Sequence, residues 1–87
     1  MEIRIEPHTL EKAKERGASE KEIIETLQSG TAVKAKAGRL AKSKIFSFNM
    51  ERLGKFYEEK QIQVIYAIEN NAMITVTVYV YYGTFQS

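Results

Sequence analysis

Apolar and polar positions alternate with a period of two across residues 61–82, QIQVIYAIENNAMITVTVYVYY. Ile62, Val64, Tyr66 and Ile68 interleave with Gln61, Gln63, Ile65 and Ala67. Ile74, Val76, Val78 and Val80 interleave with Thr75, Thr77, Tyr79 and Tyr81. β-Branched and aromatic residues in this rhythm predict two strands joined by a tight turn. The even-numbered residues are the more apolar on both strands, so they are expected to share the core face. A two-residue turn at Asn70-Asn71 would pair Ile68 with Met73, even with odd, and send one strand's core residues to the wrong side. A three-residue loop over residues 70–72 keeps even opposite even, and Asn tolerates the left-handed backbone such a loop needs. From Asn70 onward no side chain is charged. Residues 73–82 are therefore expected as a central strand or as an edge covered by a partner chain, because a long uncharged edge templates aggregation. The odd face, with Thr75, Thr77, Tyr79 and Tyr81 beside Gln61 and Gln63, is rich in hydroxyls and amides. It reads either as a half-solvated sheet face or as a platform on which bases stack and phosphates hydrogen-bond.

Upstream the period changes. Residues 2–5 alternate and predict a short strand, which Pro7 stops; Pro also suits the first position of a helix. Residues 8–16 then form a helix with Leu10 and Ala13 on its buried side, ended by Gly17 in a left-handed conformation. Ser19 with Glu22 three residues on has capping-box spacing, Ala18 and Ile23 occupy the staple positions, and Ile23, Ile24 and Leu27 mark the apolar face of a second helix ending at Gly30. Residues 31–38 predict a weak strand with Lys34 and Lys36 on one side. Residues 43–49 predict a better one, with Phe46 and Phe48 on one face and Ile45 and Ser47 on the other. Residues 50–60, with Gly54 and mixed charges, read as a loop whose Leu53, Phe56 and Tyr57 fold back onto the core. The expected architecture is one α+β domain over residues 1–87: a strand, a helical hairpin, then a three- to four-stranded antiparallel sheet with the helices on one face.

Composition narrows the chemistry. There is no cysteine and one histidine, so disulfides, thiol chemistry and a structural zinc site are not expected. No cofactor is implied. No signal peptide or membrane span is visible, which makes a soluble cytoplasmic protein the expectation. The net charge of +2 hides an asymmetry. Residues 1–30 carry five Lys/Arg against seven Asp/Glu, residues 31–60 eight against three, and residues 61–87 none against one. The middle third is the candidate surface for an anionic partner, nucleic acid or acidic protein, unless its lysines are merely a solvated strand face.

The stretch HTLEKAKERGASEKEIIETLQSG, in this order of elements, resembles a bacterial domain family of unknown function. Its members open with a strand and His-Ala-x-x-Arg, continue with Arg-Gly-Ile-Ser and an acidic, Ile/Leu-rich helix, and end in a hydrophobic hairpin closing on a Thr-Val-Tyr-like strand. That family looks like a branch of the RelE/ParE toxin superfamily, near the BrnT toxins. The resemblance covers most of the chain and is weakest over residues 31–60. His8, Arg16 and Gly17 stand where the family has them; Lys12 replaces the usual Arg and Ala18 the usual Ile. Lys12 keeps the charge but loses the bidentate fork, which weakens a phosphate clamp there.

The resemblance implies a RelE/ParE toxin-like fold and a toxin-like domain of a toxin-antitoxin system, with metal-independent RNA cleavage as its sharpest activity. Partners would be an antitoxin protein and RNA or the ribosome. Such cleavage uses the substrate's own 2′-hydroxyl, with the protein supplying a proton acceptor, cations and a proton donor. The candidates for catalysis are His8, Lys44, Lys60 and Tyr81. His8 lies in a first helical turn that favours the neutral imidazole. The candidates for RNA binding are Lys12, Arg16, Lys34, Lys36, Arg39, Tyr57, Thr77 and Tyr79. The competing reading is a non-catalytic protein-binding module of the same fold, acting through strand pairing or homodimerisation. The mild net charge favours that alternative, since ribosome-directed toxins tend to be strongly basic.

Overall fold

Two helices lie on one face of a five-stranded sheet in a computed structural model that describes residues 1–85. The chain runs β1 (Glu2–Arg4), α1 (Pro7–Arg16), α2 (Glu20–Ser29), β2 (Thr31–Val33), β3 (Leu40–Arg52), β4 (Lys55–Glu69) and β5 (Ala72–Gly83). Strand order is β1-β5-β4-β3-β2. The expected α+β order of strand, helical hairpin and consecutive strands is present, but the sheet has five strands and is mixed. β1 inserts parallel to β5, pairing Ile3 with Met73, while every other pairing is antiparallel.

The helical hairpin follows its sequence signals. Pro7 is at the start of α1. Gly17 caps its end at φ 92°, in the left-handed region. Ser19 Oγ accepts from the Glu22 amide and the Glu22 carboxylate from the Ser19 amide, closing the capping box. Ile23 and Leu27 of α2 and Ala13 of α1 are buried against Ile62, Val64, Tyr66, Met73 and Val78, with Phe46 and Val80 packed alongside. Thr9, which the apolar pattern passes over, is also buried. Its hydroxyl is bonded to Thr75 Oγ1 at 2.9 Å.

The β4–β5 connection departs from expectation in an instructive way. It is the two-residue turn, with Asn70 and Asn71 at φ 49° and 63°, and Ile68 does face Met73. The parity conflict is absorbed by a bulge: Ile65 pairs with Thr77 and Tyr66 with Thr75, leaving Val76 as the extra residue. Met73 and Thr75 therefore join Val78 and Val80 on the covered side. Thr75 is 2% exposed and belongs to the core face, not to the odd platform.

Residues 50–60 are not a loop. β3 and β4 form one long hairpin turned at Leu53-Gly54, where both residues have positive φ. Its charged residues stand on both faces, as the neighbours Glu51 and Arg52 and the run of residues 58–60 show, and this masks the period. The last β4–β5 pair is Glu59 with Gly83, so the hairpin projects beyond β5 as a two-stranded ribbon. Leu53 and Phe56 are exposed there and do not fold back; only Tyr57 does, lying 5.5 Å from the Tyr82 ring.

The C-terminus of α1 is fastened to the sheet. A helix leaves its last carbonyls unpaired. Here Glu15 O accepts from Arg52 Nη2 of β3 at 2.8 Å, Arg16 O from Tyr82 Oη of β5 at 2.6 Å, and Gly17 O from Lys60 Nζ of β4 at 2.8 Å. A Cβ on Gly17 would lie 2.1 Å from Tyr82 Oη. Gly17→Ala is therefore expected to cost more than the roughly 1 kcal/mol of a left-handed residue alone. Tyr82→Phe in the same chain should recover part of that loss, which a double-mutant cycle by urea denaturation measures. Burial raises the Tyr82 phenol above its ordinary value of 10.0; Arg52 opposes the shift and Glu22 adds to it. The folded chain favours the neutral phenol. Its stabilisation is complete below pH 10 and is lost as pH rises through the raised folded value. Unfolding free energies above and below that window should show a decline that is smaller in Tyr82→Phe.

Candidate nucleic-acid interface

The two parities of the sheet carry different chemistry. On the covered face, β3 and β4 present Lys42, Lys44 and Lys60, which all bond to the helices. Lys42 Nζ donates to Leu27 O at 2.9 Å, and Lys44 Nζ donates to Ser29 Oγ at 3.1 Å and lies 3.6 Å from Glu25. α2 has no basic residue in its last turn, so β3 supplies the cations that complement the negative end of its dipole. Lys60 is 7% exposed; besides Gly17 O it meets Glu22 Oε1 at 3.0 Å and lies 5.6 Å from the centre of the Phe48 ring.

On the uncovered face β4 and β5 present Gln61, Gln63, Thr77, Tyr79 and Tyr81. The chain leaving β2 runs back over one end of this face. Residues 34–39 make a turn in which Ala37 and Gly38 have positive φ and the Arg39 amide donates to Lys36 O at 3.1 Å. Lys34, Lys36 and Arg39 line a groove of about 510 Å³ with Gln63, Thr77 and Tyr79, its floor completed by Ile65 and the bulged Val76. Among the described residues no carboxylate lines it. Among the described residues the ion pairs involve Arg4, Lys12, Lys44 and Lys60, so the three groove cations pair with none. Arg16 reaches the same strand by its edge: it donates to Val78 O and its guanidinium lies 5.1 Å from the centre of the Tyr79 ring.

The candidate residues thus separate. Lys34, Lys36, Arg39, Thr77 and Tyr79 come together, with Arg16 at the margin through Tyr79. Lys12 stays on α1 beside Glu15 at 3.7 Å. Tyr57 lies in the projecting hairpin, stacked against Tyr82 and 5.6 Å from Lys55 Nζ. His8 is exposed in the first turn of α1, on the helix-bearing side. Lys44 and Lys60 face the helices while Tyr81 faces the other way, so the four catalytic candidates share no surface. The signal was available: Lys44 stands two residues before Phe46 and Lys60 two before Ile62, the parity of the core. Val76 and the small Ala35 and Ala37 were missed as groove residues, because their place follows from the bulge and the turn.

The chain belongs to the family described as a domain of unknown function, DUF4258, whose model matches residues 5–80. That span holds both helices, the groove and two of the three residues that fasten α1, Arg52 and Lys60. No curated protein and no solved structure matches the chain. No helix among the described residues is long and apolar enough to cross a membrane.

Placement predicts different costs for the two covered-face lysines. Lys60→Met leaves Glu22 and Gly17 O without their buried cation and should lower stability by about 3 kcal/mol. Lys44→Ala removes a more exposed pair and should cost under about 1 kcal/mol. Chemical denaturation of the two variants checks the contrast.

Proposed function

We propose that this DUF4258 domain is a toxin-like domain of a bacterial toxin-antitoxin system that acts on RNA through the groove on its uncovered sheet face. The observation that carries the reading is the convergence of three unpaired cations, Lys34, Lys36 and Arg39, on a strand face bearing Gln63, Thr77 and Tyr79. Cations spaced along a groove attract a phosphate backbone, an exposed tyrosine offers a stacking surface, and amide and hydroxyl groups hydrogen-bond sugar and phosphate oxygens. The resemblance to the RelE/ParE superfamily supplies the toxin-like assignment. The order of strand, helical hairpin and consecutive strands supports the reading, although the sheet is mixed.

Binding is the part that the side chains support most directly. Metal-independent cleavage needs a proton acceptor beside the 2′-hydroxyl. The groove offers cations for the developing charge and Tyr79 as a donor, but neither an imidazole nor a carboxylate lines it. The alternative of strand addition along β5 has less room than the uncharged sequence suggests. β1 occupies the edge at residues 72–74 and Arg16 holds Val78 O.

Growth after controlled expression, with messenger RNA followed by primer extension, tests the toxin reading. Arrest with defined cuts is expected of a nuclease, arrest without cuts of an RNA binder, and normal growth with intact RNA removes the toxin assignment. Anisotropy with single-stranded RNA tests the groove. Lys34→Gln/Lys36→Gln/Arg39→Gln should reduce the slope of log K against log salt by about 2, from roughly 0.7 per phosphate contact. An unchanged slope would move the RNA site elsewhere.

A further inference from the structure

The projecting β3–β4 hairpin ends in a feature that neither the core nor the groove uses. Leu53 is 96% exposed at its tip, flanked by Met50 at 57% and Phe56 at 55%. Leu53 also adopts φ 53°, and with Gly54 at φ 83° it makes the type of two-residue turn in which Asn-Gly is strongly preferred. An isoleucine-sized side chain in the left-handed region costs about 1 kcal/mol, and exposure forfeits its transfer energy as well. A leucine held at both disadvantages on the tip of a ribbon is a reason to look for what covers it.

The same molecule carries a matching cavity. Between α1 and α2 lies a cleft of about 720 Å³ with Leu10, Ala13 and Ala18 on its apolar surface and Glu11, Lys14 and Glu20 around it. This volume takes the side chains of a hairpin tip. The charges also match. Lys55 on the tip can meet Glu11 or Glu20, and Glu51 can meet Lys14; among the described residues none of these five makes an ion pair. Tip and cleft sit at one end of the molecule. Arg52, the residue before Leu53, donates to Glu15 O, and its Nη1 lies 2.9 Å from where a Gly17 Cβ would stand. That anchor fixes the base of the turn while Leu53 points outward, so a chain cannot fill its own cleft.

We propose that two copies of this chain form a closed two-fold dimer in which each inserts its Leu53–Phe56 tip into the α1–α2 cleft of the other. Because donor and acceptor surfaces are neighbours at one end, one two-fold axis satisfies both at once, and the contact closes without forming a filament. The dimer is independent of the RNA reading, since the tip and cleft contain no groove residue.

Sedimentation and light scattering over a wide concentration range test it. The wild-type chain should pass from monomer to dimer. Leu53→Asn suits the left-handed turn, so it should fold with unchanged or higher thermal stability while weakening association at least about tenfold, the loss typical of a central interface residue. The absence of cysteine permits a direct check. An equimolar mixture of Leu53→Cys and Leu10→Cys chains should give a disulfide-linked pair under mild oxidation, and this product should exceed the self-linked products of either variant alone. A wild-type chain that stays monomeric at the highest concentrations overturns the proposal. So does a dimer that Leu53→Asn leaves intact, which would place the contact elsewhere, such as the β5 edge.

Discussion

Three consecutive carbonyls at the end of α1 hold this molecule together. Glu15, Arg16 and Gly17 each present an oxygen that the helix cannot pair, and β3, β5 and β4 each send one donor to meet them. The arrangement fixes where the helical hairpin sits, because three separate strands must agree on its position. It also accounts for a buried lysine. Lys60 is held by a carbonyl, a carboxylate and an aromatic face, and the Glu22 that pairs with it is the same residue that closes the cap of α2. Capping, ion pairing and helix-to-sheet packing are one network, in which loss of Lys60 or Tyr82 leaves a part-buried polar group without its partner.

Six of the eight cations of the basic middle third fall into two populations, Arg52 and Lys55 lying in the projecting hairpin. Those of core parity, Lys42, Lys44 and Lys60, serve the helices and have little reach left for a ligand. Those in the turn after β2, Lys34, Lys36 and Arg39, line a groove where no carboxylate of the described residues neutralises them. A mild net charge is therefore a poor guide to this protein's affinity for anions. What matters is that three cations without an ion pair among the described residues converge on the face that the helices leave open.

Much of the fold was legible in the sequence because its signals are local. Ser19 with Glu22, Gly17, and the alternation of residues 61–69 depend on near neighbours, and each appears where its pattern places it. The failures are of another kind. The Asn70-Asn71 turn looked excluded by parity because a bulge at Val76, which restores parity several residues away, leaves no local mark in a run of β-branched residues. The ribbon of residues 50–60 looked like a loop because both of its faces are wetted, so apolar alternation disappears although the strand remains. Site residues suffered from weighing residue type ahead of parity. Lys44 and Lys60 are suitable cations for phosphate chemistry, yet their spacing from Phe46 and Ile62 had already assigned them to the helix side.

The parallel pairing of β1 with β5 joins Glu2–Arg4 to the turn-proximal end of the last strand, and the Glu6 amide with the Thr9 hydroxyl meets Thr75 close by. Residues 2–4 must therefore wait for residues 72–74 before they find their places. β3 and β4 can zip from their own turn as soon as both have emerged, but α1 has no floor until β5 arrives to lie beneath it. During synthesis the apolar side of α1 therefore stays uncovered until β5 has been made, and the helical hairpin depends on a strand that follows it by more than forty residues.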